Sequence, residues 1–599
     1  MNIQLINEPI KNFTTIEQIL YNRGITDKKD MYNYLNTTDA DINKPELFGI
    51  DKLEEAVKAL AWTLINEEEI LVIVDADCDG FTSAACLINF CYHYFPSGTS
   101  NHLHWFLHDG KQHGLHDCID TAMQYDLIIC PDSASNDIEE HQRLREAGKT
   151  VIVLDHHDIE GDLSQDAIII NNQASYYPNK FLSGVGVTWQ FCRYMEQYFT
   201  GENNYTDKLL DLVALGNTAD MMSLKEIETK HLINKGFEPD NVVNPFIYGM
   251  WCKNSYKLGD KITSWGAAFY IAPLVNAIVR SGSQEEKELV FKSMLTMCAN
   301  EQIPSTKRGH KPDEMETILA AALRTCTNVK NHQTKAEKAG LELLEKRIED
   351  EHMLDHKVLL FLMEPGQIHP NIAGLVANRI MGKYQRPVCI LTKQINIQFK
   401  NGESINVTSG TYAGSARGCD ITGITEFKSI CYETGVIEWA VGHEGAFGLC
   451  IKEENIEKFL EKTDEILAQY PDEACYHVDY LWEGDHADGQ IIEDIAGYGF
   501  LWGKDMPESK VGIKNLKITK DNISLKSADK NPTLCITLPE CEIIKFGSSK
   551  EEYESLRQED GFTTINLVGT CGKNEWMGTV TPQIMLEDYE IVNSSKYYF

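Results

Sequence analysis

The stretch Ile70-Leu-Val-Ile-Val-Asp-Ala-Asp-Cys-Asp-Gly80 sets five apolar residues against three alternating carboxylates and a glycine. A short unbroken apolar run closed by a turn reads as a strand buried on both faces, here ending in an acidic loop. Two later stretches repeat the arrangement, Leu127-Ile-Ile-Cys-Pro-Asp132 and Val151-Ile-Val-Leu-Asp-His-His157. In open α/β sheets the ligand site lies beyond the carboxyl ends of the strands. Asp75, Asp77, Asp79, Asp132, Asp155, His156 and His157 are therefore expected in one crevice.

Such a cluster repels itself, because two carboxylates about 4 Å apart cost roughly 4 kcal/mol at an effective dielectric near 20. A cation is the expected remedy. Mixed carboxylate and imidazole ligands suit manganese, magnesium, iron or zinc, and seven candidate ligands are more than one ion needs. Two ions are expected.

The chain has 599 residues, 43% hydrophobic and 24% charged, which allows several domains with ample cores. Its formal charge of -35 argues against a broad basic surface that would grip duplex DNA, so any nucleic-acid contact is expected in a local channel. Seventeen cysteines are scattered with no two at C-x-x-C spacing, which excludes a zinc ribbon or a thioredoxin-type pair. Reduced thiols in a cytoplasm are the expectation. No signal-peptide pattern opens the sequence and no apolar run approaches a membrane span.

Outward from the first strand, residues 1–65 carry helical spacing at Ile16–Arg23 and Leu53–Leu64 and read as a helical lead-in. From 66 onward strands and helices alternate: Ile70–Val74, a helix from Thr82 to Tyr94, Leu127–Cys130, a helix from Ile138 to Ala147, Val151–Leu154 and Ala167–Ile170. This predicts a doubly wound parallel sheet. Asp220 follows an apolar segment, where a helix cap would explain it as well as a ligand role. Residues 226–300 read as helical, and Ile303–Pro312 as a basic linker before a long helix from Glu314 to about Asp350.

A second, smaller α/β domain opens with Val358–Met363 and contains the amphipathic Ile372–Tyr384. Two of its segments, Gly414-Ser-Ala-Arg-Gly418 and Gly442-His-Glu-Gly-Ala-Phe-Gly448, are rich in small residues that let a backbone approach a phosphate, although turn glycines need no ligand. Beyond about 505, short alternating runs predict a small antiparallel barrel or sandwich. Trp576 in that tail fits either a stacking face or its core.

These motifs, in this order, resemble the DHH phosphoesterases and, among them, the RecJ-type single-strand exonucleases. Asp75-Ala-Asp-Cys-Asp-Gly80 resembles the family's first motif, Asp132 the aspartate of the second, Asp155-His-His157 the third and Gly216-Asn-Thr-Ala-Asp220 the fourth. Leu182–Val187 and Pro273–Ala277 with Arg280 are similar to RecJ core segments. His369–Arg379, Arg386–Val388, Gly414–Gly418 and Gly442–His443 are similar to the DHH-associated domain, and Asn574–Gly578 to the end of the RecJ OB-fold.

The resemblance implies a helical lead-in at 1–65, a DHH catalytic domain at 66–312, a connecting helix at 313–356, a DHH-associated domain at 357–470 and an all-β OB-like domain at 471–599. It implies a metal-dependent 5′-to-3′ exonuclease that releases 5′-mononucleotides from single-stranded DNA in repair, recombination or replication. Asp75, Asp77, Asp132, His156 and Asp220 would be ligands of two ions, manganese or else magnesium, with Asp132 as the bridge. Asp79 would be a ligand or a ligand's partner, Asp155 would orient the imidazoles, and His157 would stand beside the scissile phosphate. Lys111, Arg280, Arg379, Ser415, Arg417, Gly442 and His443 would hold the strand, passing through a crevice between the DHH core and the associated domain. A monomeric cytoplasmic enzyme follows, off the membrane and working with a helicase or a single-strand-binding protein.

Four departures stand out. Pro-Asp132-Ser-Ala-Ser replaces the usual Asp-Cys-Gly, Asn217 replaces a threonine, and Val279 a glycine. The family's histidine just upstream of the first motif has no counterpart, since Ile73 and Val74 stand there. Two other functions are compatible with the motifs: a phosphodiesterase of short oligonucleotides or cyclic dinucleotides, and a non-catalytic replication or repair scaffold.

Overall fold

The computed structural model describes residues 1–110, 112–394, 410–471, 473–527 and 531–596. They group into two compact units. One holds Arg23–Asn331 with Tyr498–Glu508; the other holds Met1–Asn22, His332–Gly497 and Ser509–Phe599.

The first unit is built on a five-stranded sheet in the spatial order Leu103–Leu107, Ile70–Val74, Leu127–Pro131, Thr150–Asp155, Ile168–Asn171. Every neighbouring pair is parallel. All five residues of Ile70–Val74 are buried, as a central strand covered on both faces requires. On one face Leu71, Ile73, Ile128, Cys130, Val151 and Val153 pack with Leu115, Ile119 and Leu144. Helix Cys78–Tyr94 contacts the strands and packs against helices Gly184–Thr200 and Leu210–Ala219. The order places the second strand outside the first and the third on its other side, so the chain reverses direction across the sheet between Ile70–Val74 and Leu127–Pro131. In open α/β sheets such a switch point is where a ligand crevice forms.

The sequence reading misses the edge strand Leu103–Leu107. Its burial is partial, its polar His104 interrupts the apolar run, and neither period is clean. The acidic loop after Val74 is also shorter than expected, because helix Cys78–Tyr94 begins inside it with Asp77 as its N-cap. The expected linker at 303–312 is flanked by a small hairpin, Gln302–Pro304 with Met315–Thr317, ahead of helix Ile318–Asp350. Arg324 from that helix grips Glu316 at 2.5 and 2.8 Å and explains the arrangement.

The second unit contains a five-stranded mixed sheet in the order Ile437–His443, Ala446–Lys452, Thr411–Arg417, Val388–Lys393, Leu359–Met363. Val388–Lys393 runs parallel to Leu359–Met363 and antiparallel to Thr411–Arg417. Helix Pro370–Tyr384 contributes Ile372, Ala373, Val376, Ala377 and Ile380 to a core with Leu359, Phe361 and Ile390.

The C-terminal β-rich region forms a seven-stranded sheet from Tyr480–Glu483 through the long hairpin Gly561–Trp576 and Thr579–Lys596 to Ile523–Lys526. It is mixed rather than antiparallel, because Tyr480–Glu483 joins Lys510–Ile518 and Glu542–Phe546 joins Thr579–Lys596 in parallel. The helical lead-in needs a further correction. Strand Asn2–Leu5 precedes it and pairs in parallel with Cys475–Val478. A pairing across more than four hundred residues leaves no local pattern to read.

Candidate metal centre

Asp75 follows the last residue of its strand and is buried, at 1% exposure. The chain then turns so tightly into the helix that a Cβ on Gly80 would stand 2.5 Å from Asp75 Cβ, and only glycine fits there. Asp77 caps the helix by accepting the Gly80 amide at 2.9 Å. Asp79 lies inside the first turn, where Ser183 Oγ and the amides of Gly184 and Val185 donate to it at 3.0, 2.7 and 3.3 Å. It therefore ties the first motif to the start of helix Gly184–Thr200. Asn276 adds a second tie by accepting the Cys78 amide at 3.1 Å.

Asp132 follows the third strand with φ +71°, and Ala134 has φ +75°. A non-glycine residue rarely adopts this left-handed conformation. The unusual Pro-Asp-Ser-Ala-Ser turn is thus a bent one. Its Asp132 amide donates to Leu154 O at 2.8 Å, and its Ser135 amide donates to Asp155 Oδ2 at 3.1 Å. Gly184 makes room for the carboxylate, since a Cβ there would stand 2.1 Å from Asp132 Oδ1.

Asp155 is buried and spends both oxygens on structure. Oδ1 accepts the amides of His156 and His157 at 2.7 and 3.2 Å and pairs with His157 Nδ1 at 2.8 Å. His156 Nε2 reaches 3.3 Å from Asp132 and 3.4 Å from Asp220. Asp220 stands at the C-cap of helix Leu210–Ala219, at an end of the helix as a cap would be, and beside His156. Asn217 ties the same helix to the start of helix Gly184–Thr200 by accepting the Ser183 amide at 3.1 Å.

The electrostatics follow from burying many acids together. Burial, then the charge of Asp77, lifts Asp79 to about 7; burial, then Asp79, lifts Asp220 to about 8. Burial, then the charge of Asp79, raises Asp132 well above the usual carboxylate range. Burial also pushes Asp155 upward, but the hydrogen bond from His157 and both neighbouring imidazoles hold it well below the usual carboxylate range. His157 gains from that bond and rises to about 9, while burial drives His156 down to about 4. A neutral His156 keeps a lone pair for a metal.

Three groups of ligand atoms lie within 4.8 Å of one another: Asp75, Asp77 and Asp132; Asp79, His156 and Asp220; and Asp132, Asp155, His156 and His157. Asp132 is shared by two of them, as is His156. Buried Asp75 Oδ1 and Asp132 Oδ1 have no hydrogen-bond partner. Oxygen donors with one imidazole, two of those oxygens left bare, fit hard divalent cations.

The remaining expected residues divide. Arg280 lies in the last turn of helix Ala272–Ser281, the helix that carries Asn276. In the second unit Ser415 and Arg417 point to one side of their strand, over helix Pro370–Tyr384. A Cβ on Gly374 would stand 2.3 Å from Arg417 Nη2 and 3.6 Å from Ser415 Oγ. Gly442, at φ +127°, and His443 end the edge strand, and Lys428 Nζ donates to Gly442 O at 2.6 Å. Arg379 does not join them: its side chain is 70% exposed and its Nε pairs with Glu337 at 3.0 Å. Lys111 lies outside the described residues, as does the side chain of Trp576.

One residue escapes the sequence reading altogether. His113 Nδ1 stands 2.7 Å from Asp75 Oδ2, a contact that lifts the imidazole above the usual histidine range. It sits in a polar, glycine-containing loop with no periodicity, and no signal in the sequence singles it out.

The DHH family, N-terminal domain, matches residues 69–217. The chain is 31% identical, over all of its length and 99% of the relative's, to the putative SPbeta prophage-derived single-strand DNA-specific exonuclease YorK of Bacillus subtilis. It is 23% identical to the single-stranded-DNA-specific exonuclease RecJ of the same organism, covering 98% of this chain and 69% of that one. Its fold is similar to that of Thermus thermophilus RecJ, crystallised in complex with Mn2+, at a TM-score of 0.67 and 18% identity over 96% of this chain and 76% of that one. Among the described residues no helix is long and apolar enough to cross a membrane.

Proposed function

Because the chain belongs to the DHH family and, within it, to the RecJ-type single-strand exonucleases, we propose that it hydrolyses single-stranded DNA from the 5′ end and releases 5′-mononucleotides. The observation that carries this reading is the carboxylate cluster at the switch point of the parallel sheet, with two buried oxygens unpartnered and one neutral imidazole beside them.

Asp75, Asp77 and Asp132 would hold one divalent ion, and Asp132, His156 and Asp220 a second, with Asp79 supporting them from the adjoining helix turn. Manganese is the first candidate and magnesium the second. Bound there, the ions supply positive charge that polarises a phosphoryl oxygen and acidifies the attacking water. The protein's part is placement and field. Asp155 holds the His157 imidazole and the backbone amides of both histidines, and His157, held protonated by Asp155, would offer a donor to a phosphate oxygen. Ser415, Arg417, Gly442 and His443 would grip the strand's phosphates, with Arg280 along its path. We place the enzyme in the cytoplasm, as a monomer that takes strands opened by a helicase or coated by a single-strand-binding protein.

Digestion of a long single-stranded oligonucleotide, labelled at either end in separate reactions, tests the proposal. The expected result is immediate release of a labelled mononucleotide from the 5′ end with Mn2+ and none with chelator. Turnover of dinucleotides or cyclic dinucleotides alone would replace the exonuclease by a phosphodiesterase, and bound metal without turnover of any substrate would leave a scaffold.

A further inference from the structure

The loop joining strand Leu103–Leu107 to helix Ile119–Ala122 carries three histidines, each facing a carboxylate. His108 Nδ1 meets Asp117 at 3.0 Å, and His116 Nδ1 meets Glu140 at 2.9 Å. Neither Asp117 nor Glu140 belongs to the metal cluster, so these two contacts shape the loop itself. The third differs: His113 Nδ1 reaches Asp75 Oδ2 at 2.7 Å.

The backbone is pinned on both sides of His113. Upstream, His108 is buried and its carbonyl accepts Lys287 Nζ at 2.9 Å. Downstream, Gly114 has φ +67°, and a Cβ there would stand 2.2 Å from Asp137 Oδ2. The same Asp137 oxygen accepts the Leu115 amide at 2.7 Å, and the Leu115 side chain is fully buried. The approach of His113 to Asp75 is therefore imposed by the loop. The imidazole itself stays 61% exposed on its side chain, so it holds up no core.

Asp75 is buried, and its two oxygens have different fates. Oδ2 is taken by His113, while Oδ1 has no hydrogen-bond partner and belongs to a carboxylate grouped with Asp77 and Asp132. A carboxylate otherwise turns freely about its last bond. A hydrogen bond on one oxygen fixes that rotation and aims the other. We propose that His113 is a positioning residue, which donates Nδ1–H to Asp75 Oδ2 and so presents Asp75 Oδ1 to the ion shared with Asp77 and Asp132. The inference rests on the metal-dependent reading above. It gives the loop a role through the ligand's orientation, with no direct bond from His113 to the ion.

The test is Mn2+ binding to the full-length protein without substrate, followed by electron paramagnetic resonance of free Mn2+ and by calorimetry, for the wild type, His113→Ala, His113→Asn and His113→Gln. Partners that orient metal ligands are worth about 10- to 100-fold in affinity. The expected result is two sites in the wild type, one of them weakened by that factor in His113→Ala and the other unchanged. His113→Asn should recover most of the loss, because its amide nitrogen stands near the place of Nδ1; His113→Gln, whose nitrogen lies farther out, should not.

Wild-type affinities at both sites in His113→Ala would overturn the inference while leaving the metal site standing. Equal weakening of both sites, or an asparagine variant as weak as alanine, would overturn it too, since neither fits one oriented oxygen. A wild type that binds no Mn2+ would remove the metal reading itself.

Discussion

The two five-stranded sheets handle charge in opposite ways. Around the carboxyl ends of the parallel sheet, Asp75, Asp132 and Asp155, with Asp220 from a helix end, have histidine nitrogens as their close neighbours, and two buried oxygens make no hydrogen bond. In the mixed sheet, strand Thr411–Arg417 turns Ser415 and Arg417 toward a helix whose Gly374 leaves room for the guanidinium. The first site is dominated by acids, and the second carries a guanidinium. A chain with a formal charge of -35 does not attract a polyanion at large. Most of the surface then remains free to repel a released product.

The strongest way to break this comparison is to remove the shared acid. Asp132→Ala should lower kcat on single-stranded DNA by about a thousandfold, as read by release of 5′-labelled mononucleotide, with the circular dichroism spectrum unchanged. Near-normal turnover would detach the acidic sheet from catalysis.

On the other side, Arg417→Ala should weaken binding of an uncleaved single strand by about 10- to 100-fold, the worth of one or two charge-assisted hydrogen bonds. It should also flatten the dependence of log affinity on log salt by about 0.7 for one lost phosphate contact. Fluorescence anisotropy over a salt series reads both. A change in kcat with affinity intact would move Arg417 from grip to chemistry.

A smaller effect concerns stability. Asp79 and Asp220 are held near 7 and 8 in the folded protein, above the ordinary value of 3.8. The metal-free folded state thus keeps protons that the unfolded chain releases. Its stability is full below about pH 4 for these groups and is lost as the pH rises through 7 to 8. Without metal, Tm should fall by several degrees over that window, beyond any trend in an Asp79→Asn, Asp220→Asn double variant. An ion at one hundred times its Kd should restore about 2.7 kcal/mol. A metal-free Tm that climbs between pH 5 and 8 would contradict the burial of these acids.

The smallest effect sharpens a local point. Asn217 accepts the Ser183 amide and donates to Val213 O at 2.9 Å. Asn217→Ala should cost about 1–3 kcal/mol in urea unfolding, because a buried amide loses its acceptor. Its metal affinity should change little.

The acidic half of the site was legible for a physical reason. Asp75, Asp132 and Asp155 each end a strand whose apolar run has no other explanation than burial, and a doubly wound sheet gathers such ends. The other half resisted. Asp132 and Ala134 adopt positive φ in a turn without glycine, so the usual marker of that conformation is missing. His113 owes its place to Asp137 and Gly114, which are contacts in space and not spacings in sequence. Arg379, expected by resemblance to line the strand's path, pairs with Glu337 on helix Ile318–Asp350. A sequence names a side chain's type; only packing names its partner.

Strand Asn2–Leu5 carries a consequence for the order in which this chain acquires its structure. Its partner, Cys475–Val478, is made some 470 residues later, which at about 5–20 residues per second is a delay of roughly half a minute or more. Within that interval residues 23–331, which hold every acid of the metal centre, are synthesised in full. The earliest strand to be synthesised therefore waits for its partner until most of the chain has been made.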